Sequence, residues 1–397
     1  MMVGFLFVDL SPRVQSSDRP SAQNMKAARE IWSQLKVAQS TGTATEIYFT
    51  DESVGALSAL LSDASGIGRI EARLTSGVLS SSVSIPLPLG FWMNAEATAT
   101  GQHDGFPVYR LRVGRVTFPQ FASRWFADAA WWALGLAGAR LPSLDELVRQ
   151  VRIDDQQVTA RIALPRSTGV FDSIMAVSSE SVDQQLVRKI YCQAATEQRE
   201  DRVDALPLMV NRIFAKSPSH GADSYSRAAF IALSLLVVGE EAEALVPDAA
   251  ALAQNCPRRN RPVYLHGRED LAKHWTLSAA LTSVLGEKAA ANIGEWKELD
   301  DSLAGGSGFS FVDLAADRAG LQTALRSFDV KTASQTTREL STARDNDLLP
   351  SSLLEAPEGL SNASFADRFG SLEERKYRQA IAHIDGILGG EMDIRQR

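Results

Sequence analysis

The hydrophobic pattern of this chain switches from alternation to helical spacing near its middle, and that switch restricts the folds open to it. Between residues 68 and 163 apolar positions fall on every second residue: Ile70, Ala72 and Leu74, then Leu79, Val83 and Ile85. Alternation sends successive side chains to opposite faces of a strand, so one face meets a core and the other meets water. Residues 91–99, 108–116 and 151–163 also have the β-branched and aromatic composition of strands. Turn residues separate these runs: Thr75-Ser76-Gly77, Pro86-Leu87-Pro88, Gly101 to Gly105, and Asp154-Asp155. After a hinge-like break at Pro165 to Gly169, residues 182–198, 204–217, 226–238, 240–254, 331–346 and 371–388 space their apolar residues as helices do. The fold class is therefore α+β, an N-terminal antiparallel sheet with helices followed by a mostly α-helical domain. The expected divisions are an arm or anchor remnant at 1–23, an α+β domain at 24–168 and a helical domain at 169–397.

Three helices belong to the first part. Residues 24–39 carry Met25, Ile31 and Leu35 at helical spacing, and Thr45 to Phe49 then reads as a strand. Thr50 is suited to cap a second helix, with Asp51 and Glu52 in its first turn, where the helix dipole favours acids. Residues 121–136 form an aromatic-rich helix that contains Trp125, Phe126, Trp131 and Trp132. These rings can line a groove for an acyl chain. They can equally be the core where helix meets sheet, the commoner use of such residues.

The formal net charge of −7, with no dense basic run, argues against a nucleic-acid binder. Cys192 and Cys256 are too few for a disulfide framework or a cysteine zinc site. One bridge between them is open to the chain, although free buried thiols are the usual state of such a pair. Residues 1–8, MMVGFLFV, are apolar but far short of the roughly 20 residues a membrane span takes. They lack the basic flank and cleavage site of a signal peptide. They read either as an arm packed on the body or as the end of a membrane anchor, and the polar run SSDRPSAQN that follows favours the anchor. That reading places the body in the periplasm or cell envelope, anchored at the inner membrane; a cytoplasmic location is the alternative.

Most residues able to act together chemically lie between 262 and 320. His266, Asp270, His274 and Ser278 are four apart and share a helix face if the helix starts near His266. Glu298 and Asp301 share a face of the next helix, and Asp313 and Asp317 share a face of a third. Ser310 is placed to cap that third helix, with Asp313 at the third helical position of a capping box. Three helices can thus turn imidazole and carboxylate groups toward one centre. A divalent metal would accept Asp270, His274, Glu298 and Asp317 as ligands. Without a metal, Glu298 can serve as a general acid beside Asp313 or Asp317, with His274. Ser278 and Ser307 are poor nucleophile candidates, since no Gly-x-Ser-x-Gly elbow is present. The same spacing also arises when Asp270, His274, Lys297, Glu298 and Asp317 form a buried hydrogen-bonded network that fixes helix register.

The pattern Asp270-Leu-Ala-Lys-His274-Trp-x-x-Ser278, Lys297-Glu298-x-x-Asp301, Gly306-Ser-Gly-Phe-Ser-Phe-x-Asp313-x-x-x-Asp317-x-x-Gly320 resembles the YfiM family of small bacterial envelope lipoproteins, and more distantly the VanZ-like membrane proteins. The chain departs from that family in having Trp275 where Phe is usual, and in the long region ahead of the module. In the first half, the helix starting at Thr50-Asp51-Glu52, the run Ile85-Pro-Leu-Pro88 and the run from Leu111 to Pro119 resemble the lipid-handling envelope domains of YpmS- and AsmA-type proteins. These resemblances imply a helical module in the envelope and a lipid-handling front half. The expected function is an envelope-associated binding or scaffold protein whose partners are a lipid or an envelope glycan. The alternative is a hydrolase of an envelope glycan, peptidoglycan or lipid-linked substrate, with Glu298 as general acid/base.

Overall fold

Alternation in the first half resolves into paired strands, and helical spacing in the second into packed helices, in the computed structural model of the chain. The structure describes all residues except 1–6, 16–18, 66–67, 137–141, 165–181, 202–203, 219–220, 244–249, 252, 258–260 and 395–397. It divides into two units, Met1–Val177 and Ser178–Arg397. The break expected at Pro165 to Gly169 lies outside the described residues.

The first unit runs α1 (Ala22–Thr41), β1 (Thr45–Thr50), α2 (Asp51–Ser65), β2 (Arg69–Thr75), β3 (Val78–Pro86), β4 (Trp92–Asp104), β5 (Arg110–Val113), β6 (Val116–Phe118), α3 (Gln120–Leu136), α4 (Leu144–Leu147), β7 (Val148–Ile153) and β8 (Gln157–Ile162). Its strands form one antiparallel sheet in the order β1-β8-β7-β4-β3-β2, with β5 and β6 branching from β4. Leu74, Ala99, Val151, Ile153, Val158 and Ala160 make a buried cluster on this sheet. Thr50 caps α2 as its sequence suggests, its Oγ1 accepting the Ser53 N–H at 3.3 Å.

Strand β4 departs from the expected pattern. It does not turn at Gly101 but continues to Asp104, pairing Gly101–Asp104 with Gln150–Ile153 of β7. Turn composition yields here to the ladder bonds that a neighbouring strand supplies. The extra length lets β4 hold β5 along Ala95 to Thr98 and then β7 beyond it. The run 108–116 is likewise not one strand but the β5–β6 hairpin, turning at Gly114-Arg115. Ahead of α1, Asp9 and Trp92 exchange two backbone hydrogen bonds of 2.8 Å, and Val14 is buried. Residues 9–14 are thus a packed arm on the sheet; residues 1–6 of the apolar run lie outside the described residues. Among the described residues no helix is long and apolar enough to cross a membrane.

The second unit is helical: α5 (Gln184–Asp201), α6 (Leu206–Phe214), α7 (Ala222–Val237), α8 (Glu240–Glu243), α9 (Glu269–Leu285), α10 (Glu287–Asp301), α11 (Phe311–Phe328), α12 (Ala333–Leu340), α13 (Asp345–Leu348), α14 (Asn362–Phe369) and α15 (Arg375–Ile394). The helix expected over 331–346 is two, α12 and α13, broken after Leu340. Nearly every side chain of α7 is buried, as its apolar composition requires, and it packs on α5, α9 and α11. Helices α9 and α11 lie close because Gly320 faces the backbone of Trp275. A Cβ at Gly320 would stand 2.1 Å from the Trp275 carbonyl oxygen. The Trp275 ring is fully buried, and its Nε1 donates to the Leu348 carbonyl at 3.0 Å. Cys192 on α5 and Cys256 are joined in a disulfide with a Cα separation of 5.1 Å, so they are not the free buried thiols that are usual for a lone pair.

Candidate functional site

The three helices that carry the chemically interesting residues do converge. His274 sits in the second turn of α9, Glu298 near the end of α10 and Asp317 in the second turn of α11. All three are buried, and one ligand atom from each lies within 4.8 Å of the others. His274 Nδ1 is 3.1 Å from Asp317 Oδ1, while Nε2 faces Asp313 Oδ2 at 3.7 Å and Glu298 Oε1 at 4.0 Å. The Lys297 ammonium stands 3.2 Å from Nε2 and 3.5 Å from Glu298 Oε1, and it donates to Asp301 Oδ2 at 2.7 Å.

Local structure fixes each of these groups. The Asp317 side chain fills a space left by Gly294 on α10, where a Cβ would fall 2.9 Å from Oδ2. Ser310 caps α11, its hydroxyl accepting the Asp313 N–H at 3.0 Å. The expected capping box is completed by a different acid. Glu298 Oε2, from the neighbouring helix, accepts the Ser310 backbone N–H at 2.9 Å. The loop between α10 and α11 is held by Gly308 N–H to the Asp301 carbonyl at 2.8 Å and by a two-way bridge between Phe309 and Leu360.

The electrostatics follow from burial and crowding. Burial pushes the Glu298 carboxyl up to about 7, against the opposing pull of Lys297 and His274. Burial also raises Asp313, although His274 opposes it. At His274 burial disfavours the imidazolium, but Asp317, by charge and hydrogen bond, and then Asp313 outweigh it and raise the pKa to about 9. Lys297 is likewise held above its ordinary value, burial being outweighed by Glu298 and Asp301.

Two oxygens of the cluster have no hydrogen bond, Glu298 Oε1 and Asp317 Oδ2, and both are shielded from solvent. The cluster reaches the surface on the side of Lys297, whose side chain is 44% exposed. Two cavities among the described residues, one lined by Arg326, Glu339, Asn346 and Leu388 and the other by Val8, Arg13, Phe91 and Arg115, touch none of these residues.

Other expected participants lie apart. Helix α9 begins at Glu269, so His266 precedes it, with a positive φ, its backbone N–H bonded to Asp345 and its ring to the Leu349 carbonyl at 2.7 Å. Asp270 pairs with Arg268 at the rim, with its side chain 46% exposed, and Arg268 also reaches Glu358 and, at 3.5 Å, Asp313. Arg268 holds the Asp270 carboxyl below its usual range despite burial. Ser278 is buried within α9. Lys297 and Asp301 are expected from the sequence; Arg268 is the residue that sequence reasoning misses, and its positive charge two residues before Asp270 is the signal for it.

In the first unit, α3 leaves part of its aromatic content in water. Phe121 is 80% exposed, and Trp125 and Trp132 are each 66% exposed. Spaced four and seven residues apart, they fall within about 40° of one another around the helix. Trp131 points elsewhere: it is half-buried, and its Nε1 donates to the Pro142 carbonyl at 2.8 Å. Phe126 packs edge-on against Phe118 of β6. The aromatic helix therefore has one side packed on the β5–β6 hairpin through Phe126 and another bare.

Compared with known proteins, the chain matches no family model, no curated protein and no solved structure.

Proposed function

We propose that this chain is a binding and scaffold protein associated with the bacterial cell envelope, and that it meets lipid through the Phe121–Trp125–Trp132 face of α3. The observation that carries this reading is the exposure of those three rings on one side of one helix. A folded protein rarely leaves contiguous apolar surface bare unless something covers it. Tryptophan and phenylalanine on one helix face, with polar residues around them, suit the headgroup boundary of a bilayer. The Cys192–Cys256 bond supports the compartment, because disulfides persist outside the reducing cytosol. The likeness of residues 262–320 to YfiM proteins, and of the first half to YpmS- and AsmA-type domains, points the same way.

In this reading the second unit is a rigid platform, and its buried cluster holds α9, α10 and α11 in register. A hydrolase using Glu298 is less well supported, since Oε1 is shielded from solvent and a substrate bond would have to reach it. Co-sedimentation with phosphatidylglycerol-containing vesicles tests the proposal. The wild-type protein is expected in the pellet, and a variant with Phe121, Trp125 and Trp132 all changed to Ser is expected in the supernatant. Wild-type protein that stays in the supernatant would remove the lipid reading.

A further inference from the structure

The buried cluster is richer in acid than its own cations can satisfy. Glu298, Asp313 and Asp317 crowd around one imidazole, Lys297 is already engaged by Asp301 at 2.7 Å, and Arg268, 3.5 Å from Asp313, is shared with Asp270 and Glu358. Two of the carboxylates each leave one oxygen without a hydrogen bond, in residues 0% and 7% exposed. A buried carboxylate oxygen is normally hydrogen-bonded or bound to a cation, and here the cation nearest Glu298 Oε1 is the Lys297 ammonium, at 3.5 Å. The two carboxylates converge with His274, one ligand atom from each residue lying within 4.8 Å of the others. The Lys297 ammonium, 3.2 Å from His274 Nε2 and 3.5 Å from Glu298 Oε1, stands beside the very groups a metal would engage.

We propose that His274, Glu298 and Asp317 bind one divalent transition-metal cation, with Lys297 as the built-in competitor that moves aside when the ion enters. One imidazole and two carboxylates suit Zn²⁺ or Mn²⁺ better than Mg²⁺ or Ca²⁺, which prefer all-oxygen sites. The route in lies along Lys297 and Asp301, the partly exposed edge of the cluster. The ion completes the cross-link between α9, α10 and α11, so its role is to stabilise the second unit. This inference stands apart from lipid binding by the first unit, and either can fail without the other.

The test uses the full chain, stripped with chelator and titrated with Zn²⁺ and separately with Mn²⁺, following heat of binding and thermal unfolding. Expected is a stoichiometry near one per chain and a rise in Tm with ion concentration. Glu298→Gln and Asp317→Asn, which keep side-chain shape, are expected to weaken binding at least tenfold. Lys297→Met removes the competing ammonium and is expected to tighten it by a similar factor. If either acidic variant does not fold, wild-type and Lys297→Met protein decide the matter. Stoichiometry well below one in both, or affinity unchanged in Lys297→Met, overturns the proposal, as does undiminished binding in a folded acidic variant.

Discussion

Glu298 and Ser310 belong to different helices, yet the carboxylate of one completes the cap of the other: Glu298 Oε2 accepts the Ser310 backbone N–H at 2.9 Å while Ser310 Oγ accepts from Asp313. The side chain that anchors α11 to α10 is thus also the one that leaves its second oxygen in the buried cluster. Architecture and chemistry meet in one residue, and the two can be separated by substitution.

Glu298→Ala strips the cap acceptor, leaves the Ser310 N–H unpaired and opens a void at a fully buried position. The expected loss is about 2–4 kcal/mol. Glu298→Gln retains an acceptor for Ser310 and removes a buried charge, so in metal-free protein it should cost far less. Urea unfolding of the two variants measures the difference. A folded Glu298→Ala protein with wild-type stability would show that the carboxylate is not structural and would return weight to the hydrolase reading.

Gly320→Ala presses a Cβ to 2.1 Å from the Trp275 carbonyl oxygen, which belongs to backbone and cannot swing away. Alanine would gain roughly 1 kcal/mol of helix propensity, but the forced separation of α9 and α11 should outweigh it, for a net loss of about 1–3 kcal/mol. The midpoint of denaturant unfolding reads the sign. A stabilised Gly320→Ala protein would mean the two helices are not in the close contact described.

The Cys192–Cys256 bond spans a sequence separation of 64 residues. A cross-link closing a loop of that length restricts the unfolded chain by about 4 kcal/mol at most. Reductant, or Cys192→Ser with Cys256→Ser, should therefore lower the unfolding free energy of the second unit by an amount of that order or less, seen as a lower denaturation midpoint. Identical curves with and without reductant would show that the pair is not bridged in solution.

Much of this fold is legible in residue patterns. Alternation from Ile70 to Ile85 marks β2 and β3, the apolar run of α7 marks a buried helix, and the spacing of His274, Glu298 and Asp317 anticipates their convergence. What the patterns miss is decided by partners distant in sequence. Gly101 to Asp104 reads as a turn until β7 offers it a ladder. His266 reads as helical, but bonds to Asp345 and Leu349 hold it outside α9. Periodicity divides α3 into faces without saying which is covered, so the bareness of Trp125 and Trp132 emerges only once Phe126 is seen against Phe118. Two cysteines in a sequence likewise carry no information about their separation in space.

Replacing Trp125 and Trp132 with Ser should cost no more than about 1.5 kcal/mol, since both are largely exposed and Trp125 packs only edge-on against Phe126, with ring centroids 5.1 Å apart. Thermal unfolding of the double variant checks this, and a large drop in Tm would place these rings inside the packing after all.

The most direct test of the lipid-docking account is tryptophan fluorescence with brominated phosphatidylglycerol vesicles. Docking through α3 predicts a blue shift and strong quenching by bromine near the headgroup boundary, both lost in the Trp125→Ser, Trp132→Ser variant. Emission that neither shifts nor quenches at saturating lipid, or quenching that persists undiminished in that variant, would contradict it.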